Sequence, residues 1–91
     1  MVDMKWLRQI ADKYNLKIIE DCAHCIEGNR DWINVWNLGD IACYSFYATK
    51  NITSWEGGAI TTNDEDIYEW LKLARLHGMS KNAADRYPKK Y

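Results

Sequence analysis

The chain has almost no net charge, no long apolar run and no complete set of metal ligands, and each absence removes a class of function. Twelve Lys and Arg against thirteen Asp and Glu leave a formal charge of −1 over 91 residues. That removes the basic field that would hold a nucleic acid or an anionic membrane surface. No apolar stretch approaches the roughly 20 residues needed to span a bilayer. Met1-Val2-Asp3-Met4-Lys5 is not followed by the apolar core of a signal peptide. The expectation is a cytoplasmic protein with neither nucleic-acid nor membrane partners. No internal repeat is visible, and 47% apolar residues exclude a disordered chain.

The three cysteines, Cys22, Cys25 and Cys43, are an odd number, which fits reduced thiols better than a disulfide framework. Cys22-Ala23-His24-Cys25 has CxxC spacing, but a zinc site needs four ligands and no second half-site follows. Cys43 and His77 stand alone in the sequence. No metal is expected.

What is present alternates between helical and extended patterns. Asp3 is placed to cap a helix over 4–14, with Met4, Leu7, Ile10, Ala11 and Tyr14 on one apolar face and Asn15 as a left-handed stop. Leu16 to Glu20 reads as a buried strand. Residues 22–40 lack periodicity and read as a long loop with a turn of helix. Ile41–Tyr47 is a second strand, 48–56 a loop, and Gly58–Thr62 a third strand. Asn63 is expected to cap a helix over 64–77, acidic at its start and basic at its end. Ile67, Trp70, Leu71 and Ala74 form its stripe, and Gly78 ends it. The tail, 79–91, offers little to bury. This order is an α/β pattern.

Two residues carry the chemistry. Lys50 follows an aromatic strand at Ser45-Phe46-Tyr47, and Asp21 ends an apolar strand at Ile18-Ile19-Glu20. Open α/β sheets bind ligands beyond the carboxyl ends of their strands, where both residues fall. A lysine amine and a carboxylate at two strand ends are what pyridoxal phosphate requires: one forms the aldimine, the other keeps the pyridine nitrogen protonated. Taken singly, each has a plainer explanation, a solvated loop lysine and a turn-forming aspartate.

The segments Glu20-Asp21-Cys22-Ala23-His24, Leu38-Gly39-Asp40-Ile41, Tyr44-Ser45-Phe46-Tyr47-Ala48-Thr49-Lys50-Asn51, Glu56-Gly57-Gly58 and Arg75-Leu76-His77-Gly78-Met79 resemble the DegT/StrS-type sugar aminotransferases over nearly the whole chain. The resemblance implies a fragment, residues 1–91, of the large cofactor-binding domain of a pyridoxal-phosphate-dependent transferase of the aspartate-aminotransferase-like fold type I. That domain has a mostly parallel sheet with flanking helices. The resemblance also implies transfer of an amino group, typically from glutamate, to a nucleotide-linked keto sugar for cell-surface polysaccharide synthesis, by a homodimer. Lys50 would hold the internal aldimine and shuttle the proton. Asp21 would pair with the pyridine nitrogen, His24 would lie against the ring, and Ser45 would bind the phosphate.

Related sugar dehydratases replace the lysine with histidine, so Lys50 favours amination. The preceding cofactor-binding segment and the small C-terminal domain of the family are not in this chain, so the isolated chain is expected to be inactive. The alternative is a non-catalytic remnant or interaction module.

Trp32, Trp36 and Trp55 depart from the resemblance, standing where family members typically carry glycine. They are three of five tryptophans. Two explanations are open: divergence, with the indoles packed on exposed sheet, or UGA glycine codons translated as tryptophan. Trp6 and Trp70 fall on helices and read as genuine.

Overall fold

The computed structural model describes residues 1–76. His77, Gly78 and the tail 79–91, with the expectations placed on them, lie outside the described residues. The elements in chain order are α1 (Met4–Tyr14), β1 (Ile19–Asp21), β2 (Asn29–Arg30), β3 (Ile33–Asn34), β4 (Ile41–Ser45), β5 (Gly58–Thr61) and α2 (Glu65–Ala74).

The ends of α1 follow from its caps. The Trp6 N–H donates to Asp3 Oδ1 at 3.0 Å, and Asn15 takes φ 51° at the other end. Leu16 N–H then closes the last turn onto the Ala11 carbonyl at 2.8 Å. Met4 and Ala11 are buried with Ile18, and Leu7 and Leu38 pack against them. Tyr14, on the same stripe, is instead exposed beyond the end of this cluster.

The main sheet has the order β1-β4-β5. β1 and β4 are parallel, with Asp21 opposite Cys43, while β4 and β5 are antiparallel, with Ser45 opposite Gly58. The described part is therefore mixed rather than mostly parallel. The cause lies in the connections. The chain between β1 and β4 is long enough to return for a parallel crossover, whereas β5 follows β4 through a loop without a helix. A second small core of Cys22, Val35 and Ala42 lies against β4, with Cys25 and Tyr44 partly buried on it.

Asp40 explains why β1 begins late. Leu16 to Ile18 were expected in the strand, but Ile18 N–H donates to Asp40 Oδ2 at 2.8 Å. The same carboxylate oxygen accepts from Arg8 at 2.9 Å, and Oδ1 accepts from Lys17 at 3.3 Å. Asp40 N–H returns a bond to the Ile18 carbonyl at 2.9 Å, and Thr62 Oγ1 donates to the Asp40 carbonyl at 2.7 Å. One residue thus ties α1 and the entry of β1 to the end of β5. Burial opposes the charge on Asp40, but the Ile18 amide, Arg8 and Lys17 outweigh it and hold the carboxyl down at about 2.

Residues 22–40 contain a β-hairpin, β2 paired with β3, and not the expected turn of helix. Its two connecting residues, Asp31 and Trp32, have φ 55° and 64°. Positive φ at both central residues is the signature of a type I′ turn, whose twist matches the flanking strands. In α2 the cap is Asp64, one residue later than expected. Asp64 Oδ1 accepts from the amides of Asp66 at 3.0 Å and Ile67 at 3.1 Å, while Thr62 Oγ1 accepts the Asp64 N–H. Ile67, Leu71 and Ala74 are half-buried as expected, but Trp70 is exposed. Among the described residues, no helix is long and apolar enough to cross a membrane.

Candidate functional site

The parallel pairing of β1 with β4 brings their carboxyl ends to one sheet edge, with Asp21 level with Cys43 and Ser45 two residues further on. Two short segments leave that edge. The first is a turn in which Ala23 N–H donates to Asp21 Oδ1 at 3.1 Å and Cys25 N–H to the Cys22 carbonyl at 3.1 Å. It carries His24. The second is the loop from Phe46 to Gly57, closed at its base by Phe46 N–H on the Gly57 carbonyl and Ser54 N–H on the Phe46 carbonyl, both 2.9 Å. Gly57 has φ 134°, a conformation that excludes side chains, so the loop can re-enter β5 only through glycine there. Within the loop, Lys50 N–H bonds back to the Tyr47 carbonyl at 2.9 Å, and this turn projects Lys50.

The two segments meet. Lys50 Nζ lies 2.7 Å from His24 Nε2. Next to this pair, Asn51 Nδ2 donates to Glu27 Oε1 at 3.1 Å, a second link between the same segments. His24, Ser45 and Lys50 line one narrow cleft, together with Cys22, Cys25 and Tyr44.

Asp21 does not line that cleft. It sits at the exit of β1 and borders an adjacent groove beside α1, with Cys22 and Cys25 lining both. The structure therefore brings three of the four expected site residues together and leaves the fourth at the neighbouring strand end. The Cys22 thiol is pushed up to about 11, chiefly by burial and then by the Glu20 charge, so it stays protonated at neutral pH and serves as packing.

Glu20 is a feature that the sequence did not single out. Its Oε1 accepts from Gly39 N–H at 2.8 Å and its Oε2 from Trp36 N–H at 3.0 Å. One carboxylate thus clamps the 36–39 turn against β1. A glutamate within an apolar strand was the available signal, since a half-buried charge needs donors. A Cβ on Gly39 would stand 2.5 Å from Glu20 Oε1, so any side chain there would displace the Glu20 carboxylate from its clamp.

The DegT/DnrJ/EryC1/StrS aminotransferase family matches residues 1–91. The chain belongs to that family. It is 45% identical over 85 residues to an uncharacterized protein of Methanocaldococcus jannaschii, covering 93% of this chain and 22% of that protein. It is 40% identical over 81 residues to dTDP-3-amino-3,4,6-trideoxy-alpha-D-glucose transaminase of Micromonospora megalomicea subsp. nigra, covering 88% and 22%. Among solved structures, it is similar to Helicobacter pylori PseC, an aminotransferase involved in the biosynthesis of pseudoaminic acid. That match has a TM-score of 0.79 and 33% identity over 90% of this chain and 22% of that one. The chain thus spans about a fifth of the length of the relatives it matches. The likeness confirms the α/β fold expected from the element order.

Proposed function

We propose that residues 1–91 are part of the cofactor-binding domain of a pyridoxal-phosphate-dependent aminotransferase that acts on a nucleotide-linked keto sugar. The observation that carries this reading is Lys50 Nζ at 2.7 Å from His24 Nε2, beside Ser45, at the carboxyl ends of two parallel strands. The donor set suits the cofactor: a primary amine, an imidazole, a strand-end hydroxyl and, at the next strand end, a carboxylate. The relatives support the substrate class, since one is named as a transaminase of a dTDP-linked sugar.

Pyridoxal phosphate, when bound, supplies a ring that withdraws electrons from the carbon bearing the amino group. The chain's own residues do the rest. Lys50 Nζ would hold the cofactor, and its free amine would carry the proton to and from the reacting carbon. His24, with Nε2 at 2.7 Å from Nζ, would position the Lys50 amine before attachment and lie against the cofactor ring after it. Asp21, at the neighbouring strand end, would keep the proton on the pyridine nitrogen, and the Ser45 hydroxyl would donate to the phosphate. Lysine at position 50, rather than histidine, directs the site to amination and away from dehydration. Glutamate as donor, a homodimer and a cytoplasmic setting complete the proposal. The isolated chain is inactive in this account, because the groups that would surround the cofactor on its other sides come from outside these residues.

The test is titration of the complete protein with pyridoxal phosphate, followed by absorbance. The wild type should develop the red-shifted band of a protein-bound imine, and Lys50→Ala should not. An equal band in both proteins would overturn the assignment.

A further inference from the structure

Five residues other than glycine have positive φ among the described residues: Asn15, Asp31, Trp32, Trp36 and Trp55. Asn and Asp tolerate that region because their short polar side chains bond locally; a bulky aromatic does not. Only a few per cent of residues other than glycine adopt it, so three of five tryptophans doing so by chance is on the order of 10⁻⁴. Chance is therefore a poor account of Trp32, Trp36 and Trp55.

The local turns are those that demand glycine. Asp31-Trp32 connects β2 to β3 with both φ values positive, the type I′ geometry for which Asp-Gly is a preferred pair. Asn37 N–H bonds to the Asn34 carbonyl at 3.3 Å around Val35-Trp36, and only the second central residue, Trp36, has positive φ, at 73°. That is a type II turn, which requires glycine, or asparagine, at that position. Trp55, at φ 71°, forms the bend two residues before Gly57 in the lysine loop.

At two of the three positions the side chain does no compensating work: Trp32 is 95% exposed and Trp55 81% exposed, although a tryptophan ordinarily buries most of a large surface. Trp36 is 38% exposed and borders a groove with Tyr44 and Thr61, so its case rests on its backbone alone. What the fold uses at these positions is backbone. Trp36 N–H donates to Glu20 Oε2 and Trp55 N–H to Thr53 Oγ1, each at 3.0 Å. Trp6 and Trp70 behave differently. Both lie within α1 and α2 at ordinary helical dihedrals, where glycine would weaken the helix.

We propose that residues 32, 36 and 55 are glycines in the protein as it is made, and that their codons are UGA, decoded as glycine by the organism that carries the gene. UGA differs from the glycine codon GGA by one base, and a table that reads UGA as tryptophan turns every such glycine into tryptophan. The resemblance to the family singles out the same three positions, but the argument stands on their dihedrals, on the turn types at 32 and 36, and on the exposed side chains at 32 and 55.

The test has two parts. The gene is sequenced at codons 6, 32, 36, 55 and 70, and the protein purified from its own organism is digested with trypsin and weighed. The expected codons are UGA at 32, 36 and 55 and UGG at 6 and 70. The peptide 31–50 should be lighter than the tryptophan sequence by two Trp-to-Gly differences, the peptide 51–72 by one, and the peptide 6–8 unchanged. UGG at any of the three positions, UGA at 6 or 70, or tryptophan masses in 31–50 or 51–72 would each overturn the proposal. Because neither part uses cofactor or activity, the outcome is independent of the aminotransferase assignment.

Discussion

Lys50 and His24 are in contact at 2.7 Å although 26 residues separate them in the chain. Only the parallel pairing of β1 with β4 brings their segments to the same sheet edge. His24 acts in this account by orienting the amine rather than by reacting. His24→Ala should therefore weaken pyridoxal phosphate binding by about tenfold, the loss of roughly 1–1.5 kcal/mol expected for one such hydrogen bond. Covalent attachment at Lys50 should survive. A binding titration checks the first point, and peptide mapping the second.

Asp21 and Ser45 are expected to divide between chemistry and binding. Asp21→Asn should lower the turnover of the complete enzyme by orders of magnitude while the cofactor stays attached, since the carboxylate supports the electron sink. Ser45→Ala should raise the dissociation constant for the cofactor by about tenfold, the loss of one charge-assisted hydrogen bond. Equal losses of turnover and binding in both variants would remove that division.

The Asp40 hub predicts an acid limb in stability. Its folded pKa of about 2 lies below the ordinary carboxylate value of 3.8. A depressed folded value means that the contribution is fully present above the unfolded pKa and is lost as pH falls from about 4 towards 2. Its size is about 1–2 kcal/mol, below what the full shift implies, because the pair with Arg8 still meets solvent. Asp40→Asn should flatten that limb in urea unfolding curves recorded at several pH values. An unchanged acid limb would show that other carboxylates set it.

The turn geometry predicts a stability difference between two synthetic genes for the complete protein. Glycine at 32, 36 and 55 should be more stable than tryptophan by about 1 kcal/mol at each position, the cost of holding a bulky residue in the left-handed region. Thermal unfolding of the two proteins checks this. An equal or higher Tm for the tryptophan form would contradict it.

Much of this fold could be read where local chemistry and tertiary structure agree. Asp3 and Asn15 bracket α1, and β4 and β5 follow from runs of β-prone residues between glycines and asparagines. The hairpin of β2 and β3 could not be read, because Asp31-Trp32 does not look like a turn, whereas Asp-Gly there would be a strong hairpin signal. The late start of β1 was also hidden, since it depends on a long-range bond from Ile18 to Asp40. At the site, the motifs put Lys50, His24 and Ser45 forward as candidates, and the structure places the three along one cleft. The placement of Asp21 outside that cleft was not legible, because which groove a strand-end residue faces depends on the turn that follows it.

The central claim, that Lys50 is the residue that takes the cofactor, can be measured directly. The complete protein is loaded with pyridoxal phosphate, reduced with borohydride, digested with trypsin and mapped. Trypsin does not cut at a modified lysine, so the account predicts a labelled peptide running from Asp31 through Lys50 to Lys72. Label on any other lysine, with 31–50 and 51–72 released as separate unmodified peptides, would contradict it.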